Sequence, residues 1–162
     1  TAWLDNYEHA IKLCKENNGA FIYASNFSLG VNIFFELNKH LAKMMSQLKQ
    51  YHVSIEEIHH TEKLDAPSGT AITLAEGIIS QHDEYNKWLL NQNKKQTIPI
   101  TAKRIANVPG THSIEYKSNT DTINITHTAH TREGFALGAV VAAEWILGKT
   151  GVFSMKDVLN IG

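Results

Sequence analysis

The chain of 162 residues holds a single cysteine, Cys14, so an internal disulfide is impossible and a cystine-stapled secreted scaffold is excluded. Charge of one sign is also lacking. Fifteen basic residues face 16 acidic ones, for a net charge of -1, and no broad field recruits nucleic acid or an anionic membrane. No apolar run approaches the roughly 20 residues that span a bilayer, and no signal-peptide pattern opens the chain. Its 9 histidines show neither a helical i, i+4 pair nor a second clustered ligand motif, so no metal is expected. No G-x-G-x-x-G turn occurs, which removes the usual dinucleotide grip from this stretch of chain. Position 1 is Thr1 and not methionine, and the expectation is a piece of something longer. What these absences leave is a cytoplasmic globular protein, with an apolar share of 43% that suffices for a core.

The pattern that is present begins with helical spacing at Tyr7, Ala10, Ile11 and Cys14, stopped by Asn17-Asn18-Gly19. The run Ala20 to Ala24 does not alternate, as suits a short strand covered on both faces. Together these read as the tail of an α/β unit. Ser28 caps a long helix to about residue 47, striped by Phe34, Leu37, Leu41, Met44, Met45 and Leu48. Residues 52–58 read as a strand with imperfect alternation, 61–67 as a loop, and Ser68 or Thr70 opens a helix through Ile79. Residues 86–96 read as a polar surface excursion. Strands follow at 98–105, 111–116 and 122–128, separated by Asn107-Val108-Pro109-Gly110 and Ser118-Asn119-Thr120-Asp121 turns. A helix rich in small residues, 133–147, closes the pattern.

Chemistry concentrates in His59-His60-Thr61-Glu62-Lys63-Leu64-Asp65-Ala66-Pro67-Ser68-Gly69-Thr70. Histidine titrates nearest neutrality and suits proton transfer, and Lys63 adds a cation for a carboxylate or a developing carbanion. Ser68, Gly69 and Thr70 stand at a helix N-terminus, where the dipole favours an anion and Gly69 admits a close ligand. Pro67 fixes the entry to that helix, and Asp65 caps the turn or orients Lys63. The segment thus describes a site for a small carboxylate undergoing proton transfer. Taken alone, paired histidines at a strand end equally suit surface hydrogen bonding, and Asp-Ala-Pro-Ser-Gly equally suits a plain turn with an N-cap.

The string His59-His60-x-x-Lys63-x-Asp65-Ala66-Pro67-Ser68-Gly69-Thr70-Ala71 resembles the signature of dihydrodipicolinate reductases. Further stretches resemble that family in the same order: 24–32, Arg104 with Pro109-Gly110-x-His112, and Ile125-Thr126-His127-x-Ala129 followed by Arg132, Phe135, Ala136, Gly138 and Ala139. The resemblance implies reduction of a cyclic dicarboxylic imine by NADH or NADPH in lysine and diaminopimelate biosynthesis. It implies His59 as general acid/base and Lys63 as proton donor, with His60, Ser68, Gly69, Thr70 and Arg132 holding substrate carboxylates. Ala24, Ser25, Asn26 and Phe27 would face the nicotinamide end of the cofactor, and Thr1 would be the last residue of a cofactor-contacting turn. The implied fold is α+β, a mixed open sheet with flanking helices beside a remnant of a Rossmann-type α/β domain. Residues 1–27 and 133–162 would belong to that remnant, and 28–132 to a substrate-binding, catalytic and oligomerisation domain forming a homotetramer through its sheet.

Because no Gly-rich turn is present, the chain by itself is expected to bind nucleotide weakly and to turn over slowly or not at all. Other classes stay in play: an oligomerisation module, a dicarboxylate-binding protein without catalysis, and a related nicotinamide reductase such as an aspartate dehydrogenase. The Asp-Ala-Pro-Ser-Gly-Thr string argues against the last.

Overall fold

Apolar side chains at alternate positions of residues 52–58 force one face of that segment inward, and a sheet assembles on it. In the computed structural model, which describes residues 3–161, the chain divides into two compact units, Thr1–Asn32 with Glu133–Gly162 and Ile33–Arg132.

The second unit is built on a five-stranded mixed sheet. Its strands are β2 (His52–His59), β3 (Lys87–Leu90), β4 (Thr97–Arg104), β5 (Gly110–Lys117) and β6 (Thr122–Ala129), in the order β3-β4-β2-β5-β6. The β3–β4 and β4–β2 pairs are parallel, while β2–β5 and β5–β6 are antiparallel. On one face Val53, Ile55, Ile114 and Tyr116 are buried with Ala71, Leu74, Ala75 and Ile78 of α3 (Gly69–Ile79). The helix α2 (Leu29–Met45) adds Phe34, Phe35, Ala42 and Met45 to this core. Its Asn38 donates to the Leu74 carbonyl at 2.9 Å, and a Cβ on Gly77 would meet Asn38 Nδ2 at 3.2 Å, so the two helices pack closely. The opposite face is open and polar. Thr111 with Thr128 and Ser113 with Thr126 join hydroxyls across β5 and β6, and Lys103 pairs with Glu56 at 2.6 Å.

The first unit pairs β1 (Ala20–Ile22) in parallel with β7 (Gly151–Phe153). Around them lie α1 (Tyr7–Glu16), α4 (Glu133–Trp145) and α5 (Met155–Leu159). Trp3, Tyr7, Phe21 and Tyr23 form an aromatic cluster with centroids 5.3 to 6.3 Å apart. The small residues of α4 serve close packing: a Cβ on Gly138 would overlap the Phe27 carbonyl.

Two expectations need correction. Residues 86–96 are not merely a surface excursion, because β3 lies inside them and pairs with β4. Its apolar Trp88-Leu89-Leu90 is too short to show a period, and the parallel pairing that fixes it is set by a partner beyond the local window. The tail after α4 likewise holds β7 and α5, where Ser154 and Asp157 form a capping box. The mixed open sheet with flanking helices is the expected one.

Candidate functional site

The β2 strand explains its own imperfect alternation. Its inward positions are Val53, Ile55, Glu57 and His59, so the pattern turns from apolar to ionisable at the C-terminal end. Such breaks in a buried pattern mark functional places. Register then collects partners for them: β5 sets His112 opposite Glu57, and β4 sets Arg104 opposite His59.

Glu57 is fully buried, and a buried carboxylate needs compensation. Arg104 Nη2 donates to its Oε1 at 3.3 Å, and the Ser68 backbone N–H donates to its Oε2 at 3.0 Å. Oε2 also lies 3.6 Å from His59 Nδ1 and 3.8 Å from His112 Nε2. The two imidazoles meet edge to face with centroids 5.0 Å apart. Burial pushes His112 down to about 3, with the neighbouring His59, His127 and Lys63 adding to it. Burial likewise holds His59 below its ordinary value, while Glu57 pulls the other way. Glu57, His59 and His112 bring one ligand atom each within 4.8 Å of one another, a donor set that suits a divalent ion. Glu57 already spends its oxygens on Arg104 and Ser68, and the fixed charge of Arg104 opposes a cation there.

The loop after β2 is stapled from below by the same arginine. Arg104 Nε donates to the Lys63 carbonyl at 3.2 Å, and Nη2 to the Asp65 carbonyl at 2.7 Å. Above that staple, Lys63 Nζ meets both oxygens of Asp65 at 2.7 and 2.8 Å, which orients the ammonium and holds the Asp65 carboxyl below its usual range. Arg132 Nη2 reaches His60 Nε2 at 2.9 Å, and His60 Nδ1 reaches Glu62 Oε2 at 2.9 Å. Arginine only donates, so Nε2 accepts and the His60 proton sits on Nδ1, facing Glu62. Glu62 is held low by its own backbone N–H first and by His60 and Thr61 after that. A cavity of about 350 Å³ is lined by His60, Glu62, Asn107, Val108, Pro109 and Arg132.

Ser68 is the N-cap of α3, accepting from Ala71 N at 3.2 Å and meeting His112 Nε2 at 3.1 Å. Its side chain is thereby committed within the fold. Gly69 has open space where a Cβ would stand, and Thr70 follows it in the first turn of the helix, the positive end of its dipole. One end of the second unit therefore gathers His59, His60, Lys63, Arg132 and the start of α3.

Ala24, Ser25, Asn26 and Phe27 lie in the first unit. There Asn26 Oδ1 accepts from Ser28 N at 2.8 Å, and Asn32 Nδ2 donates to the Asn26 carbonyl at 2.8 Å. A cavity of about 600 Å³ is lined by Trp3, Leu4, Asp5, Tyr23, Ala24, Ser25 and Phe27. Thr1 lies outside the described residues.

Residues 30–159 match the family described as dihydrodipicolinate reductase, C-terminus. The chain belongs to this family. Among dihydrodipicolinate reductase relatives, a 4-hydroxy-tetrahydrodipicolinate reductase of Christiangramia forsetii is 61% identical over 99% of the chain and 67% of its own length. Proteins of the same description from Methanosarcina mazei and Buchnera aphidicola are 36% and 39% identical, over 56% and 55% of their own lengths. A solved structure described as a dipicolinate-bound dihydrodipicolinate reductase from Paenisporosarcina sp. TG-14 shares the fold, with a TM-score of 0.66 at 22% identity. That likeness covers 93% of this chain and 58% of the other. The chain thus spans between half and about two thirds of the relatives it matches.

Sequence reasoning did not see Glu57 as part of this site, and met Arg104 and His112 only within a resemblance. No local signal finds Glu57, which stands in an ordinary strand; only the register of β2, β4 and β5 makes it the hub.

Proposed function

We propose that the chain supplies the substrate-holding and proton-transferring part of a 4-hydroxy-tetrahydrodipicolinate reductase of lysine and diaminopimelate biosynthesis. The observation that carries this reading is the convergence of Lys63, His60, Arg132 and the α3 N-terminus beside the buried His59. A small dicarboxylate needs two cationic or N–H-lined ends, and this edge offers both. Lys63 now grips Asp65, and Arg132 leads through His60 to Glu62, so a ligand carboxylate would take the place of an internal one. Exposed pairs of this kind are worth little and exchange readily.

Within this reading His59 is the general acid/base and Lys63 the proton donor. His60, Arg132, Gly69 and Thr70 hold the carboxylates, and Ser68 keeps the helix start in place. Reduced nicotinamide, NADH or NADPH, supplies the hydride when bound. The small side chains of Ala24 and Ser25 beside Tyr23 and Phe27 leave a cavity that suits a flat ring end, with Asn26 assigned to the same segment. Hydride addition to a conjugated imine leaves one negative charge shared between the neighbouring carbon and nitrogen. A single proton, given by Lys63 Nζ with His59 as the acid/base beside it, quenches it. Residues 1–27 and 133–162 then belong to the nucleotide-binding part and 28–132 to the substrate part. The open, hydroxyl-rich face of the sheet is the surface we assign to a homotetramer, and the cytoplasm is the compartment.

Titration calorimetry of the chain with pyridine-2,6-dicarboxylate, a planar analogue, tests the reading. Saturable binding weakened at least about tenfold, or ~1.4 kcal/mol, by Lys63→Ala is expected. A folded chain that takes up no dicarboxylate would overturn it. NADH alone is expected to bind weakly to this chain, since no Gly-rich turn is present.

A further inference from the structure

Glu57 has no assigned task in the chemistry above, yet a fully buried carboxylate at an active edge is an expensive feature to keep. Its Oε2 lies 3.6 Å from His59 Nδ1, and that ring nitrogen is buried with no hydrogen-bond partner within reach. A bare lone pair at Nδ1 would face negative charge, whereas a proton there faces an attractive one. The other edge of the ring is different. A Cβ on Gly110 would stand 3.2 Å from His59 Nε2 and 3.3 Å from Cδ2, so only glycine at this position leaves that edge uncrowded.

We propose that Glu57 is a positioning residue for His59, holding the imidazole with its proton on Nδ1 so that Nε2, kept open by Gly110, is the atom that exchanges a proton with substrate. The arrangement follows the logic of a buried carboxylate that fixes the tautomer of a working histidine. Arg104 and the Ser68 N–H serve it by fixing Glu57 in turn. This inference rests on the reading of His59 as acid/base given above. The charged and titratable groups facing His59 are Glu57 on its own strand, Arg104 from β4, His112 from β5, and Lys63 and Asp65 from the loop. Of these Glu57 and Asp65 favour the protonated ring, and Lys63 and Arg104 oppose it.

The test is nitrogen NMR of the chain with labelled histidine, followed through pH with no ligand present. The native chain is expected to show His59 with Nδ1 protonated and Nε2 bare above its titration. Glu57→Gln, which keeps the shape and an acceptor oxygen, is expected to move the His59 titration to lower pH and to mix the two tautomers. Glu57→Asp is expected to restore the native titration in part. An Nε2-protonated His59 in the native chain overturns the proposal without any variant, as does a folded Glu57→Gln chain whose His59 titration is unmoved. The outcome separates from that of the proposed function. Failure of pyridine-2,6-dicarboxylate to bind a chain with Nδ1-protonated His59 sinks the substrate reading and leaves the positioning of the ring supported. Binding to a chain with Nε2-protonated His59 does the reverse.

Discussion

The candidate site has two layers that obey different physics. The lower layer, Glu57, His59, Ser68 and His112, is buried, and Glu57 is bonded to Arg104 and to the backbone of Ser68. The upper layer, His60, Glu62, Lys63, Asp65 and Arg132, stands nearer to water and is held by side-chain pairs at 2.7 to 2.9 Å. Low dielectric makes each lower contact consequential for stability, while solvent screening makes each upper pair nearly neutral. A site so divided can exchange its upper partners for a ligand without disturbing the geometry beneath. The two layers meet at Arg104, whose guanidinium holds Glu57 below and the carbonyls of Lys63 and Asp65 above.

The sharpest break of this contrast is Glu57→Ala. Removing the hub leaves the Arg104 guanidinium and the Ser68 N–H without their buried partner, and a loss of about 3–5 kcal/mol is expected in denaturant unfolding. Asp65→Ala in the upper layer is expected to lose less than about 1 kcal/mol in the same measurement. Similar losses for the two would dissolve the distinction.

Acid should act on the lower layer before the upper. Burial pushes His112 down to about 3 when folded against an ordinary 6.5, so below pH 6.5 the unfolded chain takes up a proton that the folded chain refuses. The stability it allows is therefore intact above 6.5 and is lost as pH falls towards 3. The slope from this group reaches about 1.4 kcal/mol per pH unit, readable from melting curves between pH 6.5 and 5. His112→Asn is expected to flatten that slope, and an unchanged slope would move its origin to another histidine.

The smallest effect belongs to the outermost carboxylate. Glu62→Gln should leave the melting temperature unchanged and tighten pyridine-2,6-dicarboxylate binding by about threefold at low salt, because a competing negative charge is removed. Calorimetry at two salt concentrations checks it, with the gain shrinking as salt rises.

What was legible in the sequence was contiguous in it. Helices α1 to α4 and strands β2, β4, β5 and β6 each carry their period within a single window, and their limits fall within a few residues of those expected. The loop and capped helix start at 61–70 were legible for the same reason, since Pro67, Ser68 and Gly69 act on their own backbone. β3 and β7 escaped because short parallel strands are specified by distant partners, Thr97 to Ile100 for one and Ala20 to Ile22 for the other. Glu57 escaped for a related reason. Its place in a strand says only that it faces one side, and which side is decided by the register with β4 and β5.

The most direct test of the two-layer account is an amide and side-chain NMR map of the chain titrated with pyridine-2,6-dicarboxylate. The account predicts large shifts at His60, Lys63, Gly69, Thr70 and Arg132, with Glu57, Ile55 and His112 nearly still. Shifts centred away from this edge, or a lower layer that rearranges as the ligand binds, would contradict it.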